Sequence, residues 1–122
     1  MVLVLVRGLP GSGKSTYAAS LAGYRHFETD MFFQKKDGYK FDPTQLAQAH
    51  AWCQKIVKHE LQMGANVVVS NTFTQRWEMQ PYLDMAKEFN VPVDVVVMRG
   101  NYKSIHNVPD HAIERMRARW ED

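Results

Sequence analysis

The chain has 122 residues, 45% hydrophobic and 23% charged, which suits one globular domain over residues 1–122 and excludes a disordered chain. Its net charge of +2 neither demands nor opposes a polyanionic partner, and its lone cysteine, Cys53, excludes an internal disulfide or a cysteine-based zinc site. No run approaches the roughly 18 apolar residues of a membrane span, and Met1 to Val6 lacks the basic region and cleavage site of a signal peptide, so the expectation is a soluble, cytoplasmic protein.

Val2 to Val6 is an apolar run bounded at once by Gly8, Pro10, Gly11 and Gly13, the pattern of a short strand buried mid-sheet. Lys14 to Ala22 contains good helix formers and stops at Gly23, a natural C-cap residue. Arg25 to Asp30 is a weakly signalled second strand. Met31 to Phe41 carries Phe32, Phe33, Tyr39 and Phe41 around Asp37-Gly38, which predicts a tight turn in an excursion fixed by its aromatic rings. Asp42-Pro43-Thr44-Gln45 opens a helix by its acid, its proline and its glutamine. Leu46, Ala49, Cys53, Ile56, Val57 and Leu61 give that helix an apolar face ending at Gly64. Asn66 to Val69 predicts a third strand. Thr74 caps a helix with Met79, Leu83, Ala86 and Phe89 on its apolar face, and Val91 to Met98 predicts a fourth strand. A last helix runs from Pro109 through Trp120. Alternating strands and helices imply right-handed crossovers and a parallel sheet covered on both faces.

Gly8-Leu9-Pro10-Gly11-Ser12-Gly13-Lys14-Ser15 satisfies G-x-x-x-x-G-K-S between a predicted strand and a predicted helix, the context this phosphate-binding motif requires. Its glycines let successive N–H groups turn inward, and the helix start adds positive potential, so together they cradle phosphate oxygens. Lys14 would reach the β- and γ-phosphates, Ser15 would give its hydroxyl to Mg²⁺, and Thr16 is placed for an α-phosphate. The expected ligand is therefore a nucleoside triphosphate with magnesium. No guanine-reading Asn-Lys-x-Asp pattern is present.

The reaction must come from the carboxyl ends of the strands, where open α/β sheets place ligands. Asp30 at the end of the second strand is a candidate general base toward an acceptor hydroxyl; its alternative is a helix cap. Glu28 is expected to be solvated. Ser70-Asn71-Thr72 ends the third strand, where phosphate-loop enzymes carry an aspartate for the metal. Here Asn71 is a candidate metal contact, with Asp30 sharing that task, or else a polar strand end. Arg99 and Lys103 are candidate lid cations over the γ-phosphate, set against solvated loop charges. Arg115, Arg117 and Arg119 spread around a helix and receive no chemistry. His106 is assigned to structure or solvent, and Trp77 and Tyr82 to core or cap packing.

The combination of Gly8 to Thr16, Glu28-Thr29-Asp30, Ser70-Asn71-Thr72 and the basic segment before Val108-Pro109 resembles the kinase domain of bacteriophage-type polynucleotide kinase. It is closer still to small stand-alone ATP-binding, AAA-labelled proteins of phages and bacteria, which share a segment like Asn71-Thr72 followed by Trp77-Glu78-Met79 and Pro81-Tyr82. That resemblance implies an α/β P-loop NTPase/kinase fold with about four parallel strands in the order 2-3-1-4, and ATP with Mg²⁺ as ligands. It implies Asp30 as general base and an altered lid in which Arg99 matches an earlier arginine of the segment and Lys103 stands for a lid arginine, losing the bidentate fork. The expected activity is transfer of the γ-phosphoryl group to a hydroxyl, with a nucleic-acid 5′ end among the acceptors and Lys35, Lys36, Tyr39, Lys40 and Phe41 as candidates for its groove. The alternatives are a nucleotide-responsive binding module and a simple ATPase.

Overall fold

The apolar run near the N-terminus forms β1 (Leu3–Arg7), every residue of which is buried. The computed structural model describes residues 1–102 and 108–122. After β1 come α1 (Lys14–Ala19), β2 (Tyr24–Phe27), a hairpin of β3 (Gln34–Lys35) and β4 (Gly38–Tyr39), α2 (Leu46–Gln62) and β5 (Asn66–Asn71). The chain continues through α3 (Arg76–Glu88), β6 (Val93–Val97) and α4 (Asp110–Ala118). A strand buried on both faces belongs in the middle of a sheet, and β1 pairs in parallel with β5 on one side and β6 on the other. β2 joins the far edge of β5, so the four-stranded parallel sheet runs β2-β5-β1-β6. Numbered among themselves, these strands take the order 2-3-1-4 that the resemblance implies.

Side-chain alternation along the strands builds two apolar layers. Leu3, Leu5, Val67 and Val69 pack with Cys53, Val57 and Leu61 of α2 and with Met79, Tyr82, Met85 and Ala86 of α3. Val4, Val6 and Val68 pack with Ala18 of α1 on the other face. Each fully buried aliphatic side chain contributes roughly 1.5–3 kcal/mol, so the α2–α3 face, with the larger cluster, carries most of the apolar stabilisation.

Several boundaries differ from those the sequence predicts. The first helix ends at Ala19 instead of Ala22, where the Ser20 hydroxyl donates to the Tyr17 carbonyl at 2.6 Å and competes with the helical ladder. Gly23, at φ +81°, turns the chain into β2. The second strand stops at Phe27, and Thr29–Phe33 forms a 3-10 turn, so Asp30 stands in its first turn instead of ending a strand. α3 starts at Arg76 after Gln75; the Glu78 carboxylate, accepting from Gln75 N at 2.9 Å and from Thr74 Oγ at 2.7 Å, sets that start. Leu46 is 39% exposed because it lies at the very start of α2. The expected cover on both faces is thin at β6: Val95 is 47% exposed, and α4 contributes no buried residue.

Two local readings hold well. Asp42 accepts from Thr44 N at 3.0 Å ahead of Pro43, opening a short 3-10 turn that runs into α2. Phe33 is fully buried, with the rings of Phe32, Tyr39 and Phe41 centred 5.4, 6.4 and 5.0 Å away. This aromatic cluster anchors the excursion between β2 and α2. Among the described residues, no helix is long and apolar enough to cross a membrane. Lys103 and His106 lie outside the described residues.

Candidate functional site

The phosphate-binding motif sits where β1 ends, and two of its glycines are required by geometry. A Cβ on Gly8 would come within 2.2 Å of Ser12 Oγ and 3.0 Å of the Met98 carbonyl, so only glycine fits. Gly13 holds φ +92° immediately before α1, a conformation costly for any residue with a Cβ. The turn is laced to the segment after β6: Gly100 N donates to the Ser12 carbonyl at 3.2 Å, and Tyr102 N to the Gly11 carbonyl at 2.7 Å. Ser12 Oγ is buried with no hydrogen-bond partner among the described residues. Since α1 has six residues, its macrodipole is smaller than that of the longer predicted helix, which leaves more of any anion binding to the loop and Lys14.

Pro10, Gly11, Gly13, Lys14, Ser15 and Thr16 line an open cleft of about 1080 Å³, whereas Gly8 and Ser12 lie outside its lining and support the turn. Glu28, Thr29, Asp30 and Asn71 line the same cleft. Lys14, Ser15, Thr16, Asp30 and Asn71, the residues singled out from the sequence, thus line one space. Burial holds the Lys14 ammonium below its ordinary pKa, while Glu28 and, less strongly, Asp30 pull it back up. Asp30 Oδ1 accepts from the Tyr39 hydroxyl at 3.3 Å, and burial, followed by Asp30, pushes that phenol to about 12, so it stays a donor at neutral pH.

Glu28 is the main departure. Expected in solvent, its carboxylate accepts from Ser15 Oγ at 2.8 Å through Oε2 and lies 3.4 Å from His26 Nε2 through Oε1. His26 Nε2 in turn is hydrogen-bonded to Ser70 Oγ at 2.7 Å, and burial lowers the pKa of that imidazole against the pull of Glu28. The Asn71 side-chain oxygen, expected near a metal, accepts the Thr29 amide at 2.8 Å. Thr29 Oγ meets His50 Nδ1 at 3.3 Å. Asn71 and His50 thereby hold the start of the turn that carries Asp30.

Arg99 does not reach this cleft. It lines an adjoining cavity of about 710 Å³ with Leu9, Arg117 and Trp120, which shares Pro10, Met98, Tyr102 and Val108 with the cleft. Arg119, assigned no chemistry from its spacing, lines the cleft and donates from Nε to Thr74 Oγ at 3.2 Å. Trp77 is not in the core: it is 70% exposed at the cleft, and its Nε1 donates at 2.8 Å to the side-chain oxygen of Gln75, the N-cap of α3, so of the two expected places it takes the cap. Tyr82 is buried as expected. Of the expected groove residues, Tyr39 and Phe41 line the cleft, while Lys40 pairs with Asp37 at 2.6 Å and Lys35 lies over the Phe32 ring at 5.1 Å.

Arg7 is a further residue that sequence reasoning passed over. Its guanidinium is buried at the end of β1, donates to the Phe73 carbonyl at 3.0 Å and lies 4.5 Å over the Trp120 ring. Phe73 itself adopts φ +44°, a strained backbone for an aromatic residue. No local pattern announces either feature.

Hard oxygen donors suit magnesium, and the Ser15 hydroxyl hydrogen-bonded to a carboxylate fits that cation. Among the described residues no group of three His, Cys, Asp or Glu forms a complete metal cage, so phosphate oxygens would have to complete the set.

A family model described as an AAA domain matches residues 3–101. NEDD4-binding protein 2 of Homo sapiens is 37% identical over an alignment of 98 positions that covers 76% of this chain and 6% of that protein, so the chain spans a small part of this relative. Among solved structures, a chain of the Pnkp1/Rnl/Hen1 RNA repair complex superimposes with TM-score 0.72 at 19% identity, over 96% of this chain and 43% of its own length. Gluconokinase from Sinorhizobium meliloti 1021 gives 0.68 at 18% identity, covering 99% and 75%. Kti12 of Chaetomium thermophilum, in complex with ADP-AlF3, gives 0.66 at 16% identity, covering 98% and 80%. At these identities the structural likeness concerns the fold. Together with the phosphate loop between β1 and α1, the match across most of the chain establishes that this protein belongs to the AAA-domain family and has the P-loop kinase-like fold.

Proposed function

We propose that the protein is an ATP-dependent phosphotransferase that moves the γ-phosphoryl group to a hydroxyl acceptor. One observation carries the reading: Lys14, Ser15 and Asp30 line a single space of about 1080 Å³. In it, the loop from Gly8 to Thr16 positions the triphosphate, and Lys14 neutralises charge on the β- and γ-phosphates. Ser15 would hold Mg²⁺, which supplies charge neutralisation between the phosphates when bound. Asp30 accepts the proton of the acceptor hydroxyl, oriented by the Tyr39 hydroxyl. Lys103, by its place in the sequence, and Arg119, by its place in the cleft, are the cations assigned to the phosphoryl oxygens; Arg99 faces the neighbouring cavity.

Tyr39, Phe41 and Trp77 present aromatic surface to the cleft, which supports an acceptor with bases to stack and hence a nucleic-acid 5′-hydroxyl. That one structural neighbour belongs to an RNA repair complex agrees with this choice. The proposal includes a cytoplasmic location. A second reading, a nucleotide-responsive binding module with little transfer, is favoured by the end of β5, where Ser70-Asn71-Thr72 supplies no acid. Simple ATP hydrolysis ranks last, because no residue of the cleft is assigned to position water.

The test is incubation with labelled ATP, Mg²⁺ and a panel of a 5′-hydroxyl oligonucleotide, a nucleoside and a small alcohol, with Lys14→Ala as blank. Acceptor-dependent transfer is expected. Nucleotide binding without transfer to any member supports the binding module and overturns the kinase reading.

A further inference from the structure

We infer that Glu28, which follows β2, supplies the acidic charge for the divalent cation that the end of β5 lacks. The inference rests on the nucleotide-binding reading above and adds a residue to its metal site. At the end of β5 there is no carboxylate, and the two polar side chains nearest the expected position are already engaged. The Asn71 oxygen accepts the Thr29 amide at 2.8 Å, and buried Ser70 Oγ is hydrogen-bonded to His26 at 2.7 Å. The neighbouring strand compensates. Glu28 lines the same cleft as the phosphate loop, with its side chain only 18% exposed, and takes the hydrogen of Ser15 Oγ at 2.8 Å.

That hydrogen bond has a direct consequence for ligation. A serine hydroxyl has one hydrogen and two lone pairs. With the hydrogen committed to Glu28, the lone pairs of Ser15 are left for a cation, and the adjacent negative charge strengthens their donation. Carboxylates that orient a metal-binding group in this way commonly account for 10–100-fold in metal affinity. The same charge acts against a bare triphosphate tail. Glu28 therefore makes nucleotide binding depend on the cation, since it attracts the metal and repels the anion.

Glu28→Gln separates charge from shape, because its amide oxygen still accepts from Ser15. The intact chain is loaded with ADP, and manganese(II) binding is followed by electron paramagnetic resonance, while metal-free ADP binding is followed by calorimetry. The expected result is about tenfold weaker manganese binding to the ADP complex, with metal-free ADP bound as tightly as by wild type or more tightly. Unchanged manganese affinity in folded Glu28→Gln overturns the inference while leaving the nucleotide site intact. Failure of the wild-type chain to bind ADP at all, with or without manganese, overturns both this inference and the function it rests on. Should Glu28→Gln not fold, Glu28→Asp keeps the charge and withdraws it by one methylene. It is expected to weaken manganese binding at least about threefold, a fraction of the full loss, and wild-type affinity there also overturns the inference.

Discussion

The two flanks of the sheet are built differently. On the β2 flank, Thr29 is buried and held by Asn71 and His50, and four residues later Phe33 is fully buried under three aromatic rings. On the β6 flank, Val95 is exposed, α4 has no fully buried residue, and the C-terminal segment makes a set of polar ties. Arg7 donates to the carbonyls of Phe73 and Glu121 and lies over Trp120, Arg76 N donates to Glu121 Oε1 at 2.7 Å, and Glu121 N donates to the Thr74 carbonyl at 2.7 Å. Apolar burial accumulates over a whole side chain, whereas a typical hydrogen bond nets only about 1 kcal/mol. Asp30 is thus carried on a turn anchored by buried Thr29 and Phe33, and the flank at the second cavity is the one expected to cost less to deform.

Four measurements test that contrast. The largest effect is expected from Phe33→Ala, which empties the centre of the aromatic cluster and should cost about 3–5 kcal/mol in urea unfolding; a loss below about 1 kcal/mol would mean the β2 flank is not anchored there. Asp30→Asn comes next, with transfer falling about 100-fold, equivalent to about 2.7 kcal/mol, and ATP affinity nearly unchanged. Undiminished transfer would remove Asp30 as the base. Trp120→Ala removes the ring under Arg7 and should cost about 1–2 kcal/mol. A loss equal to that of Phe33→Ala would erase the difference between the flanks.

The smallest effect concerns pH. Burial lowers the Lys14 pKa below 10.5 in the folded state, so through that window the unfolded chain binds more protons than the folded one. Stability of the nucleotide-free protein must then rise with pH between the lowered value and 10.5. Lys14→Met, followed by thermal melts at stepped pH, should lose this rise. A fall over the same window would mean that Glu28 and Asp30 outweigh the desolvation.

Much of the architecture is legible because local rules write it. The apolar run of β1, the stripe of α2 from Ala49 to Leu61, the Asp42-Pro43 start and the Asp37-Gly38 turn all depend on side chains a few residues apart. Three of the boundaries that shifted, at Ala19, Phe27 and Arg76, are places where a serine, asparagine or glutamate side chain makes a hydrogen bond that propensity does not record. At the site, Lys14 and Ser15 follow from the motif, and Asp30 from its place after the second strand. Glu28, Trp77, Arg119 and Arg7 do not, since each acquires its role from a partner distant in the chain or from a wall of the cleft.

The sequence by itself determined the phosphate loop, the alternation of strands with helices and the buried stripes, because glycine conformation and apolar periodicity act over one or two turns of chain. Only the tertiary structure decided that Glu28 meets Ser15, that Asn71 holds Thr29 and that Arg99 and Arg119 face different cavities. Those outcomes depend on how parallel strands align their ends and on which polar groups, once out of water, must find a partner across the sheet.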